Sequence, residues 1–358
     1  DEGLKALASA MEVNETITWV RLDMQKDQLA MLSDKGRQAI EDIQRCCRRN
    51  KVQEVCRSCR SQSITEVDLR DRNLGDEEVK ALADAFQVNK SVTKVDLSYN
   101  NFGDEGLKAL ASAMEVNETI TWVRLDMQKD QLAMLSDKGR QAIEDIQRCC
   151  RRNKVQEVCR SCRSQSITEV DLRDRNLGDE EVKALADAFQ VNKSVTKVDL
   201  SYNNFGDEGL KALADAFQVN KSVTQVRLWG NNKLGDEGLK ALASAMEVNE
   251  TITKIELFGR SSDEGRQAME DIKRFCSRNK ERKLEAAVRN RQCFSGHDLR
   301  LEETILPCER CDTILRGGER MHRCRECNFN LCLKCHKHLE IQSQDAPVGS
   351  VDPTNAET

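Results

Sequence analysis

Four closely spaced pairs near the C-terminal end of this 358-residue chain carry residue types that bind a transition metal. They are Cys293-x3-His297, Cys308-x2-Cys311, Cys324-x2-Cys327 and Cys332-x2-Cys335. Two thiolates two residues apart on a tight turn can chelate one Zn²⁺, and four such donors close a tetrahedral structural site. Eight donors make two sites, and alternation of the pairs suggests a cross-brace. Site one is then Cys308, Cys311, Cys332 and Cys335, and site two is Cys293, His297, Cys324 and Cys327. So short a stretch has little apolar core, so two Zn²⁺ ions would supply its folding free energy. His336 and His338 are an alternative pair for site two. His336 directly follows a ligand, which favours Cys293 and His297. His322 is read as a surface residue or a support for a ligand.

The other cysteines have a different setting. Cys46, Cys47, Cys56 and Cys59, and again Cys149, Cys150, Cys159 and Cys162, fall at helical spacing on an apolar face. Core packing is expected, because free cysteine is among the most buried residues. A metal set there is awkward, since Cys46 and Cys47 point about 100° apart on a helix. Cysteine concentrated with histidine suggests metal rather than disulfides, hence a reducing, cytoplasmic compartment. Six Asn-x-Ser/Thr sequons, at Asn14, Asn89, Asn117, Asn192, Asn220 and Asn249, share one place in the repeat pattern. They are read as turn residues that serve the backbone rather than as glycan acceptors.

Nothing upstream offers catalytic machinery. All four histidines lie in the metal region, so no Cys–His or Ser–His pair can form elsewhere. No phosphate loop, nucleophile elbow or carboxylate pair is present, and an enzyme is not expected. With 33 % charged residues and a net charge of −5, the balance argues neither for nor against a nucleic-acid partner, and none is expected. No apolar run approaches the roughly 18 residues of a membrane span. The chain opens at Asp1 inside a repeat, which reads as a fragment continuing upstream.

The elements that must position these residues follow from repetition. Residues Asp1 to Gly103 recur unchanged as Asp104 to Gly206. Inside that block is a 28-residue step, linking Leu69, Leu97 and Leu125, then Leu172, Leu200 and Leu228, with Leu257 one residue later. A longer step of 47 separates Leu22 from Leu69 and Leu125 from Leu172. Each short unit reads as an alternating strand (Val92 to Leu97), an asparagine turn, and an amphipathic helix from Gly103 to Met114 with Asp104 as its N-cap. A module of this kind must stack on its own copy, which predicts a solenoid.

The pattern LxxLxLxxNxL, the 28-residue step and the GDEGxxALAxA helix resemble leucine-rich repeats of the ribonuclease-inhibitor type. The resemblance covers about residues 1–276 and implies an α/β solenoid, parallel strands on a concave side and helices on a convex side. Arg72 and Gln128 stand where the pattern has asparagine, so the turn ladder should break there. The twin of the long-step helix, Gly265 to Cys276, reads as a cap, and the internal versions as helices continuing through Val52, Val55 and Cys59. A charged helical linker is expected over 277–291, the metal module over 292–340, and a disordered tail over 341–358.

On the strands, exposed positions alternate with core ones. The predicted partner surface comprises Trp19, Trp122, Arg124, Arg227, Trp229 and Phe258, with Tyr99 and Tyr202 at its edge. Aromatic residues and arginine are the usual anchors of protein interfaces. Asp96, Asp199, Ser98 and Ser201 are assigned to the same exposed face. Trp19 and Trp122 have a structural alternative, covering a gap beside the long step.

The C-terminal module resembles the C1, divergent-C1 and ZZ group of zinc fingers, on His297-x-Leu299 and Cys327-Asn-Phe329-Asn-Leu331-Cys332. The loop between its first pairs is more charged than in lipid-binding C1 domains, so membrane lipid is not expected. The reading is a scaffold or adaptor: the solenoid holds one protein, and the finger holds a second protein or peptide. The alternatives are a substrate receptor of a ubiquitin ligase and a C1-like signalling adaptor recruited to membranes.

Overall fold

Each 28-residue unit folds as a three-residue strand, a turn and a helix of about three and a half turns, as its two periodicities require. The computed structural model describes residues 1–22, 24–257, 262–290, 300–303, 320–324 and 329–332, with side chains through residue 286. It divides into two units, Asp1–Ser161 and Cys162–Thr358.

The first unit contains α1 (Glu2–Val13), α2 (Lys26–Ala30), α3 (Asp34–Arg60), β1 (Glu66–Asp68), α4 (Asp76–Val88), β2 (Lys94–Asp96), α5 (Asp104–Val116), β3 (Trp122–Arg124) and α6 (Lys129–Met134). Helix α7 (Asp137–Arg163) runs across the division. The second unit holds β4 (Glu169–Asp171), α8 (Asp179–Val191), β5 (Lys197–Asp199), α9 (Asp207–Val219), β6 (Gln225–Arg227), α10 (Asp236–Val248), β7 (Lys254–Glu256) and α11 (Asp263–Asn290). Three further strands follow, β8 (Arg300–Glu303), β9 (Arg320–Cys324) and β10 (Phe329–Cys332).

Strands β1, β2 and β3 form one parallel sheet in sequence order, and β4 to β7 another. Register steps by the repeat, with Val67 opposite Val95 and Val95 opposite Val123. In the first unit one core runs from Val52, Cys56 and Cys59 of α3 through Val67, Leu69, Phe86, Val95, Leu97 and Leu110 to Ile146 and Cys149 of α7. A smaller cluster joins Ala8 and Met11 of α1 to Ala39, Ile43, Cys46 and Cys47 of α3. The two pairs of α3 cysteines therefore serve different apolar clusters, and the nine cysteines with described side chains are thiols rather than half-cystines. Burial pushes Cys59 up to about 11 and Cys150 up to about 12, as expected for thiols kept neutral in a core.

Polar ladders fix the stacking. Asn100 Nδ2 donates to the carbonyls of Leu69 and Leu97, and its Oδ1 accepts from the N–H groups of Arg72 and Leu74. Asn203 repeats this with Leu172, Leu200, Arg175 and Leu177, and its own N–H donates to Asn231 Oδ1. Where Gln128 replaces asparagine, the chain turns instead into α6, and Gln128 is the residue before that helix. The break expected there is present. At Arg72 the outcome differs: its N–H is held by the asparagine of the following unit.

A second ladder runs along the helix C-termini. Asn117 Nδ2 donates to Phe86 O and Asn89 O while Oδ1 accepts from Thr119 and Ile120. In the second unit Asn220 does the same with Phe189 O and Asn192 O, and Asn249 with Phe217 O and Asn220 O. Asn89, Asn117, Asn192, Asn220 and Asn249 are buried, with Nδ2 committed to carbonyl oxygens, so turn chemistry accounts for these sequons. Where the long helices α3, α7 and α11 pack, an Arg-Asn pair closes the ladder. Arg152 and Asn153 donate to Met114 O, Asn117 O and Ile120 O, and Arg278 and Asn279 to Met246 O, Asn249 O and Ile252 O.

The N-terminal caps correct one expectation. Asp104 is the first residue of α5, and Gly103 is its N-cap. The aspartate at this position instead caps the next helix: Asp76 Oδ1 accepts from Gly103 and Gly106 N–H, both at 2.8 Å, and Asp179 likewise from Gly206 and Gly209. A carboxylate there also meets the positive end of the helix dipole. Helix α11 runs without interruption through Cys276 to Asn290, over the residues expected as a cap and all but the last of those expected as a charged linker, and Leu284 is buried.

Candidate functional site: the strand faces

Strand residues alternate between the core and the outer face, and short turns after each strand set the edge. In the first unit Trp122 and Arg124 lie on β3, and Tyr99 sits two residues past Leu97. Trp122 is 39 % exposed and Tyr99 53 %. Tyr99 adopts a left-handed backbone (φ 59°), held by its N–H donating to Asp126 O at 2.7 Å. Arg124 meets Asp126 at 2.5 Å and reaches Asp96 at 4.0 Å. Arg70 makes paired hydrogen bonds to Asp68, at 2.9 and 2.7 Å, and lies 3.6 Å from Asp96. Those bonds hold the Asp68 carboxyl below its usual range.

The second unit builds a related face. Tyr202 (φ 56°) donates its N–H to Trp229 O, and its ring lies over Gly230. Trp229 Nε1 donates to Glu256 at 3.2 Å, and Arg227 bonds the same carboxylate at 3.1 Å. Glu256 is held below the usual range by Lys254 first, with Arg227 and Trp229 adding to it. Arg173 and Arg227 flank Asp199 at 3.6 and 3.5 Å. Each face thus carries two exposed aromatics set among paired charges.

Two features depart from the sequence-based assignment. Asp96, Asp199, Ser98 and Ser201 are buried rather than exposed. The aspartates are covered by the flanking arginines and accept the N–H of Ser98 and Ser201 at 3.0 Å. Trp19 occupies no strand and is 68 % exposed, although its sequence surroundings match those of Trp122. It lines a cleft of 710 Å³ beside α3. Trp122 pairs instead with Lys94 on β2. Tyr99 also borders a separate 840 Å³ cleft with Asp71, Asp76, Asp104 and Asp130 on its walls.

Phe258 lies outside the described residues, as do Cys293, His297, Cys308, Cys311, Cys327 and Cys335. Cys324 and Cys332 are described as backbone only, in β9 and β10. Among the described residues no group of three or more His, Cys, Asp or Glu could hold a metal ion.

The leucine-rich repeat family model matches residues 88–111, 191–214 and 219–243. These stretches are leucine-rich repeats. Each match takes in the end of one helix, a strand, an asparagine turn and the beginning of the next helix. Among solved structures the chain is similar to leiomodin-1 actin-binding site 2, at 13 % identity and a TM-score of 0.30, over 67 % of this chain and 96 % of that one. It is also similar to the tropomodulin C-terminal domain of Caenorhabditis elegans, at 14 % identity and a TM-score of 0.27, over 65 % and 98 %. No curated protein matches the sequence. Among the described residues no helix is long and apolar enough to cross a membrane.

Proposed function

We propose that this leucine-rich repeat chain is a non-enzymatic scaffold that holds a protein partner on its strand faces and a second protein or peptide on a zinc-organised C-terminal module. The observation that carries the first part is the pairing of exposed aromatics with arginines on each face: Tyr99, Trp122 and Arg124 in one unit, Tyr202, Trp229 and Arg227 in the other. Half-exposed tryptophan whose surroundings are already ordered loses little side-chain entropy on docking, which is what hot-spot residues share. Proteins retained by the full chain and by a Trp122→Ala/Trp229→Ala variant should differ when compared by mass spectrometry. Identical sets would refute the strand-face role.

For the module, the donor set is all thiolate and imidazole, the chemistry of structural Zn²⁺. The β9–β10 register supports two separate sites: Cys324 stands opposite Phe329 and Cys332 opposite Met321. The two cysteines are thus three residue pairs apart, about 10 Å along the hairpin, too far to share one ion. The ions would cross-link strands that have little else to pack. Metal analysis of the full chain should give two Zn²⁺ per molecule, falling to one in Cys293→Ser/His297→Ala. Retention of both would move the site-two donors to His336 and His338, and one or none in the unaltered chain would refute the cross-brace.

A further inference from the structure

The long step of 47 residues leaves an opening that a regular unit would close. Strand β1 is an edge strand, since its sheet runs β1-β2-β3. The groups that bond β2 are those of Thr65, Leu69 and Asp71, as shown by Thr93 N–H to Thr65 O, Leu69 N–H to Asp96 O and Asp71 N–H to Ser98 O. By the two-residue period of a strand, the N–H and C=O groups of Glu66 and Asp68 face away from β2, along the open edge. The segment Thr18–Leu22, whose copy forms β3, is not a strand and does not fill that edge.

A cleft starts just past the end of β1, at Leu69, and has a coherent lining. Its floor is one face of α3, Ile40, Ile43, Gln44, Cys47, Arg48 and Lys51, at helical spacing of three and four. Trp19, Val20 and Leu22 form one wall, and Leu69 with Asp71, Arg72, Asn73 and Leu74 the other. Arg48 Nε is buried and has no hydrogen-bond partner among the described residues. Lys51 and Arg72 add positive charge, and Asp71 is the one carboxylate among the described lining residues, although Lys51 also pairs with Glu54 at 3.0 Å. A floor that is apolar at Ile40, Ile43 and Cys47, with an unpartnered Arg48 Nε and an open strand edge close by, lacks three things: apolar side chains, an acceptor for that N–H, and backbone donors and acceptors.

We propose that this cleft docks an extended acidic segment of a protein partner, which adds to the edge of β1 as a strand. Main-chain hydrogen bonds to Glu66 and Asp68 would give affinity, alternate apolar side chains would enter the α3 floor, and a carboxylate would satisfy Arg48. The proposal goes beyond the strand-face reading and stands apart from it, since neither Trp122 nor Trp229 lines the cleft.

The test uses the full chain carrying Trp122→Phe/Trp229→Phe, so that Trp19 is the only tryptophan left to report. The probe is a hexapeptide alternating glutamate and valine. A saturable change in Trp19 emission is expected, weakened at least tenfold by Arg48→Glu, by Lys51→Glu, and by N-methylation of the probe backbone. Lys51→Glu covers the case in which Arg48→Glu does not fold. Absence of saturable binding, equal binding of a lysine-valine counterpart, or full affinity for the N-methylated probe would each overturn the proposal.

Discussion

Replacing Asn220 by alanine is expected to destabilise the second unit more than any surface change in it. The side chain is buried, donates to Phe189 O at 2.8 Å and Asn192 O at 3.0 Å, and accepts from Ser222 and Val223 N–H at 2.9 and 2.8 Å. Each such bond is worth about 1 kcal/mol net, and buried partners left unpaired cost more. Ser222 Oγ also reaches Asn192 O, at 3.4 Å, and offsets part of that loss. The expected penalty is therefore roughly 3–5 kcal/mol, a large share of the stability of an ordinary domain. With a urea slope of about 1–3 kcal/mol per molar, the midpoint should fall by at least about 1 M. Far-ultraviolet circular dichroism in urea reads this directly. Asn14→Ala is the internal comparison: Asn14 is half-buried, its Oδ1 accepts from Thr16 and Ile17 N–H and at 3.5 Å from Asn50 Nδ2, and its loss should cost about 1 kcal/mol. If Asn220→Ala lies within about 0.5 kcal/mol of the unaltered chain, the asparagine ladder does not hold the units together as argued.

Gly230→Ala should lower the thermal midpoint by several degrees. Its φ is +70°, and an added Cβ would lie 2.5 Å from Cδ1 of Tyr202, so both backbone strain and displacement of the ring are incurred. Stability should also fall in alkali. Burial raises Cys59 and Cys276 to about 11 and Cys150 to about 12. A raised folded-state value means the neutral thiols stabilise fully below about 8.5, and that contribution is lost as pH rises from there toward 11–12. Urea midpoints measured from neutral pH upward should decline over this window, and a flat profile would contradict the buried-thiol assignment.

Much of the repeat architecture was legible because two periods are superposed in one 28-residue step. Val95 and Leu97 alternate as a strand, and Leu107, Leu110, Ala113 and Met114 recur as a helix face; all six are buried. The asparagine positions were legible for the same reason, as polar residues at fixed offsets from a leucine. Neighbour effects were not. Trp19 and Trp122 have identical surroundings in sequence, yet only Trp122 has a strand beside it, and sequence carries no direct record of that difference. Asp96 has the parity of an exposed residue but is covered by Arg70 and Arg124, whose reach across strands depends on register. The aspartate caps were misplaced by one unit because a residue 27 positions away competes with the local one for the same N–H groups. Asn50, Asn153 and Asn279 had a readable signal that was missed: an Arg-Asn pair recurring within the apolar stripe of each long helix.

The central claim is that the strand faces, rather than the helices, hold the partner. The direct measurement is the affinity of the most strongly retained protein, by titration, for three forms of the full chain: unaltered, Trp122→Ala/Trp229→Ala, and Lys80→Ala/Lys108→Ala on exposed helix surface. Loss of a hot-spot aromatic costs about 2 kcal/mol or more, so the tryptophan variant should bind at least about thirtyfold more weakly. The lysine variant should match the unaltered chain. Equal affinity of the tryptophan variant, or a loss confined to the lysine variant, would contradict the account.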